Sequence, residues 1–239
     1  MPSTTEQFDR QLASIRERIT DQGQLVTEIC EQSFQSIYDM ASDEALALIG
    51  RDDEVDRNDI DIERDTVELL FRATHDGESI GEAQVRSVLT CVKANNELER
   101  IADAAVSIAT RVVTLGDRAS NFPRTTEVMT NSVVGILRDT VRCFGDTDAG
   151  RAKLVLSAEG AVLEFYDLVV RKTEERIADG RMAVDHAFEL HSIIHQAVLM
   201  ADHCTNIAEQ VIYEATGTIV RHTDAGWVEQ DMGERDDAD

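Results

Sequence analysis

Four acidic residues in this chain are spaced so that a cation could draw them together. Asp52 and Asp56 form one pair, Glu99 and Asp103 another, each at i, i+4 and therefore on one face of any helix that carries it. The pair midpoints are residues 54 and 101, and the point halfway between them is 77.5, inside the segment HDGES around Gly77. In an antiparallel helical hairpin turning there, positions equidistant from the turn lie side by side, and all four carboxylates stand at one height. Like charges stacked in this way repel. A hard cation reverses the sign, because oxygen ligands suit Mg, Ca, Mn or Fe. The competing reading is that the acids coat a solvated face, since 47 of 239 residues are Asp or Glu.

The second half of the chain repeats the spacing with fewer acids. Glu159 with Leu163, and Val198 with Asp202, have midpoints that average 180.5, at Gly180. Only Glu159 and Asp202 keep a carboxylate, so the first set is the better metal site. His191 and His195 are i, i+4, with Asp202 seven residues further on the same face, and an HxxxH pair can chelate a transition metal. Without the Glu of HExxH or a nearby cysteine, the pair reads instead as two partly buried helix histidines. His203 and His222 read as surface or capping residues.

These positions require long helices to hold them. Leu12, Ile15, Ile19, Val26, Ile29, Phe34, Ile37 and Met40 describe one helical stripe over about Thr5 to Ala41. Ser42, followed by Asp43 and Glu44, starts a second helix that carries Leu46, Leu48, Ile49, Val55, Ile62, Val67 and Leu70 and stops near His75. A third runs from about Glu82 to Leu115, with Val85, Val88, Leu89, Val92, Leu98, Ile101, Ile108 and Val112 on its apolar face. After GDRASNFPR (Gly116 to Arg124), with its helix-ending glycine and the only internal proline, the pattern starts again. Helices are expected over about Thr125 to Phe144, Arg151 to Ala178 and Met182 to Thr218.

The two halves are copies. Leu98 to Val113 and the stretch from Ala201 align without gaps and share Ala102 with Ala201, Asp103 with Asp202, Ile108 with Ile207, Ala109 with Ala208 and Val112 with Val211. The expected fold is therefore all-α, two tandem antiparallel three-helix bundles. Their expected extents are 1–117 and 125–222, joined by a linker at 118–124 and followed by an acidic disordered tail at 223–239.

A formal net charge of -24 argues against nucleic acid and against anionic membrane surfaces. Only Lys93, Lys153 and Lys172 are lysines, and the other twenty basic residues are arginines. Heavy acid loading with few lysines suits a salt-loving source such as a halophilic archaeon, where salt screens the self-repulsion. Cys30, Cys91, Cys143 and Cys204 are widely separated and read as buried, reduced thiols. No signal peptide and no membrane-spanning run is apparent, so a soluble cytoplasmic protein without membrane insertion is expected. There is no GxxxxGK[ST], GxGxxG, GxSxG or ExxH, and nothing nominates a nucleophile with its base.

Three segments carry a family resemblance: ADHCTNIAEQVIYEATGTIVRH from Ala201, LERIADAAVSIA from Leu98 and RDDEVD from Arg51. Over about Phe8 to His222 the chain resembles the PhoU family of phosphate-uptake regulators. The resemblance implies two three-helix bundles and a cytoplasmic, non-enzymatic regulator that commonly forms a homodimer. It implies partners too: a Pst-type phosphate ABC transporter, through its ATPase, and a sensor histidine kinase, with uptake and starvation signalling damped when phosphate is plentiful. The family's E/DxxxD motifs, which in some members bind Fe, Zn or other metals, fall on Asp52, Asp56, Glu99 and Asp103, and in the second half on Glu159 and Asp202. Leu163 and Val198 depart from that pattern. A sister group accompanies Pit-type permeases, which gives a second regulatory reading. The reading of a different class is a metal-dependent hydrolase whose first-bundle carboxylates activate water.

Overall fold

The computed structural model describes residues 4–39, 42–75, 77, 79–115, 122–223 and 226–230. Among them the chain forms seven helices and two short strands: α1 (Thr4–Asp39), α2 (Ser42–Ile49), α3 (Asp52–His75), α4 (Glu82–Leu115), α5 (Arg124–Asp146), α6 (Ala149–Ala178), α7 (Val184–Thr216), β1 (Ile219–Thr223) and β2 (Gly226–Gln230). The stripe that makes α1 amphipathic is the stripe that is buried: Leu12, Ile15, Ile19, Val26, Ile29, Phe34 and Ile37 all lie in the core. The turns between α3 and α4 and between α6 and α7 each pass through a glycine with φ near +70° (Gly77, 68°; Gly180, 69°), which side chains with a Cβ rarely adopt.

The expected single helix from Ser42 to His75 is broken. Gly50 and Arg51 form a turn, and Arg51 donates to Gln32 Oε1 of α1 at 2.9 Å, fixing the break against the bundle. Asp52 is consequently the first residue of α3 rather than a mid-helix residue. The expected disordered tail from Thr223 also departs from the structure, because β1 and β2 pair antiparallel with Val220 opposite Glu229 and Arg221 opposite Val228. Residues 231–239 lie outside the described residues, as does most of the expected linker, with α5 starting at Arg124.

The two repeats share one core, made of buried residues from both halves. Their joint is an antiparallel seam between α4 and α7. Thr90 donates to the Gln210 carbonyl at 3.2 Å, Lys93 to Gln210 Oε1 at 3.0 Å, and Arg111 pairs with Glu189 at 2.9 Å. A second joint crosses α1 and α5, where Gly23 permits backbone approach: a Cβ there would lie 2.7 Å from Val141 Cγ2. Arg138 of α5 closes that joint with two donor contacts to Glu31, at 3.0 and 2.7 Å. No helix among the described residues is long and apolar enough to cross a membrane.

Candidate functional site

Asp52 and Asp56 stand on α3 and Glu99 and Asp103 on α4, and the hairpin at Gly77 brings the two pairs into each other's field. Burial and then the charges of Asp103, Asp56 and Asp53 push Asp52 up to about 6. Glu99 is also raised, by burial first and then by Asp103, Asp59, Asp56 and Asp52. Asp103 is raised by burial and by Asp56. Among the described residues no ion pair reaches any of the four. Asp52 Oδ1 is buried without a hydrogen-bond partner, even though the start of α3 supplies a favourable dipole.

A fifth carboxylate, Asp59, belongs to the same strip. Burial and the charges of Glu63 and Asp56 raise it, against a hydrogen bond from Asn95. Asn95 is the buried amide that sets the register of α3 on α4. Its Nδ2 donates to Asp59 Oδ1 at 2.6 Å and to the Asp59 carbonyl at 3.1 Å, while Gln22 of α1 donates to its Oδ1 at 3.1 Å. An Asn95→Leu substitution should lower the free energy of unfolding by about 1–2 kcal/mol, because it leaves Gln22 without its acceptor. Urea denaturation monitored by circular dichroism measures this.

The donor set suits a cation, being all oxygen and uncompensated by arginine or lysine. In this arrangement, however, no three His, Cys, Asp or Glu side chains among the described residues are placed to share one ion. Holding an ion there requires the carboxylates to turn toward one another, which the exposed positions of Asp56 and Asp103 allow. The second half provides less. Glu159 is half-buried on α6 and Asp202 exposed on α7, with Leu163 and Val198 at the corresponding positions.

The histidines depart from their expected places. His191 and His195 are both exposed rather than partly buried, and His191 Nδ1 meets the Tyr166 hydroxyl at 3.4 Å. His203 is no surface or capping residue: it sits in the α4–α7 seam with Nδ1 2.6 Å from Glu97 Oε2, and Asn206 donates to the same oxygen at 3.3 Å. Burial works to raise Glu97, but His203, Asn206 and Arg100 together hold its carboxyl below the usual range. Nothing local announces this pair, whose members are 106 residues apart. The four cysteines are buried and free. Burial pushes the thiols up, Cys91 to about 11 and Cys204 to about 12, which keeps them protonated.

Two helical hairpins of like design, fused along α4 and α7, with acid pairs in the first and a single acid of each pair kept at the matching positions of the second, define a tandem-repeat helical-bundle protein. Two copies of the PhoU domain match, over residues 19–112 and 126–211, and the chain belongs to the PhoU family. It is similar to the phosphate-specific transport system accessory protein PhoU homolog 1 of Thermotoga maritima, 25% identical over 212 residues that cover 88% of this chain and 89% of that protein. A PhoU homolog of Pseudomonas aeruginosa is 24% identical over 91% of this chain and 89% of its own length. Among solved structures, PhoU from Pseudomonas aeruginosa superposes with a TM-score of 0.80, at 24% identity over 88% of this chain and all of that one. The phosphate transport system regulatory protein PhoU from Streptococcus pneumoniae superposes at 0.82, with 20% identity over 90% of this chain and 99% of that one. These two likenesses establish the fold.

Proposed function

We propose that this chain is an accessory regulator of phosphate uptake. It lowers the activity of a Pst-type phosphate transporter, and with it phosphate-starvation signalling, through protein–protein contact on the cytoplasmic side. The observation that carries this reading is the PhoU domain matched in both halves, together with relatives named as phosphate-specific transport accessory proteins that align over about nine-tenths of the chain. The transporter's ATPase or a sensor histidine kinase is the partner, and the working unit is a homodimer. Catalysis is no part of the reading, because the acids lie along a helical hairpin with no nucleophile and base among the described residues in hydrogen-bond reach of them. A divalent or iron-type ion (Fe, Zn, Mn or Mg) held by Asp52, Asp56, Glu99 and Asp103 would relieve the repulsion among them and make the regulator metal-responsive.

Deleting the gene should raise phosphate uptake in phosphate-rich medium, and the wild-type chain should restore the parent rate. Unchanged uptake would sink the regulatory reading. Elemental analysis of chain purified without chelator, beside the Asp52→Asn/Glu99→Gln variant, tests the metal. Metal present in the parent and lost in the variant supports the site between α3 and α4, whereas metal in neither removes it. Turnover of a phosphate ester that disappears with Asp56→Asn would favour the hydrolase instead.

A further inference from the structure

Periodicity assigns Val67, Val85, Leu89 and Val92 to the core, yet all are exposed (61, 42, 46 and 38%), and so are Ile60 (61%) and Phe71 (66%). These six do not scatter. Ile60, Val67 and Phe71 are spaced i, i+7, i+11 and make one line along α3, on the side away from its buried row of Val55, Ile62, Thr66, Leu69 and Ala73. Val85, Leu89 and Val92 are spaced i, i+4, i+7 and make one line along α4. A crevice of about 240 Å³ opens between the helices, lined by Val92 of the α4 row together with Glu63 and Thr66 of α3. Pairing about the Gly77 turn sets Phe71 level with Val85 and Val67 level with Leu89. Together the two rows form an exposed apolar strip on neighbouring helices of a strongly charged protein, which single scattered residues do not make.

The strip's surroundings say what fits it. Helix α3 carries nine carboxylates against three arginines. Of those arginines, Arg64 is paired with Asp61 at 2.7 Å and Arg72 with Glu68, so little positive charge faces outward. The second bundle lacks such a strip: the α6 positions matching Ile60, Val67 and Phe71 are Asp167, Glu174 and Ala178, although Val184 and Phe188 repeat Val85 and Leu89 on α7. From this geometry we infer that the outer face of α3 and α4 is a docking groove for a cationic amphipathic helix of a partner protein, with apolar anchors on the strip and Lys or Arg on the flank that lies along α3. A second copy is the poorer occupant, because it would set the nine carboxylates of its own α3 against those of this one. The inference deepens the proposed regulatory role by naming the surface and the chemistry of its partner.

The test uses the full chain and a fluorescent amphipathic Leu/Lys helical peptide, with a Leu/Glu peptide of the same pattern and a scrambled Leu/Lys peptide as controls. Fluorescence anisotropy should show binding of the Leu/Lys peptide alone, weakening as salt is raised. The exposed-site variant Val67→Ser/Phe71→Ser should bind about tenfold more weakly or worse, whereas Leu154→Ser, exposed on α6, should bind as the parent does. Circular dichroism checks that both variants stay folded. Equal binding of the scrambled peptide, or undiminished binding by Val67→Ser/Phe71→Ser, would show mere attraction of opposite charges and overturn the groove. Self-association in sedimentation that disperses with the same variant would overturn it in favour of a second copy. In a deletion strain the two readings separate. Unchanged uptake on deletion fails the regulatory role, while altered uptake fully restored by Val67→Ser/Phe71→Ser fails the groove alone.

Discussion

Replacing Arg16 with methionine should cost about 3 kcal/mol of stability, the largest loss expected from any single exchange of a charged residue in this chain. Arg16 of α1 reaches three other helices at once. It pairs with Glu214 of α7, donates to the Phe144 carbonyl of α5 at 2.8 Å and to Ser87 Oγ of α4 at 3.0 Å, and lies 4.8 Å over the Phe144 ring. Its side chain and that of Glu214 keep only 14% and 10% of their surface. Glu214 Oε2 already lacks a partner, so its whole compensation comes through Arg16. Removing the guanidinium leaves a nearly buried carboxylate alone, and that uncompensated charge is what the fold loses. The double variant Arg16→Met/Glu214→Met should therefore recover much of the loss, because neither charge remains to be desolvated. Chemical denaturation of the four members of this cycle measures both statements. A double variant no better than Arg16→Met would show that the contacts to Phe144 and Ser87 matter more than the charge.

Glu97→Ala should cost about 2 kcal/mol at neutral pH, because it removes the charged acceptor shared by His203 and Asn206. The loss has a predictable dependence on pH. In the folded chain Glu97 titrates below the ordinary glutamate value of 4.5. Its contribution is thus fully present above that value and disappears as the pH falls through the lower, folded one. Thermal melts of parent and variant should differ clearly at neutral pH and converge in strong acid. A gap that stays constant across this range would mean that packing, not charge, is lost.

Much of this arrangement is legible from sequence because it is local. The period of the α1 stripe and the glycines at the two turns are properties of short segments, and the symmetric placing of Asp52, Asp56, Glu99 and Asp103 about Gly77 follows from hairpin geometry. What escapes a sequence reading depends on partners far along the chain. Asp59 lies three residues from Asp56, yet its hold on the buried amide of Asn95, 36 residues away, comes only with the fold. Glu97 and His203 look like surface polar residues until α4 meets α7. Val67 counts toward an apolar period, but α3 buries only one narrow row, so a wider position such as this remains outside. The strands were hidden by the acidity of the C-terminal stretch, although the Ile219–Val220 pair and the Trp227–Val228 pair flank an Asp-Ala-Gly segment of the kind that turns hairpins.

The seam between α4 and α7 also explains which parts of the two repeats still match. Of the five retained pairs, Ala102 and Ala201, Ile108 and Ile207, Ala109 and Ala208, and Val112 and Val211 are buried, and only Asp103 and Asp202 are exposed. Of the exposed or half-exposed acids, Asp56 and Glu99 correspond to Leu163 and Val198 in the other copy. Fusion has made each repeat the permanent neighbour of the other, so packing positions are answerable to a partner within the same chain. Outer positions are answerable to nothing inside it. The duplicated halves have accordingly been free to divide their labour on the outside while remaining near-twins within, much as paralogous subunits specialise without leaving their complex.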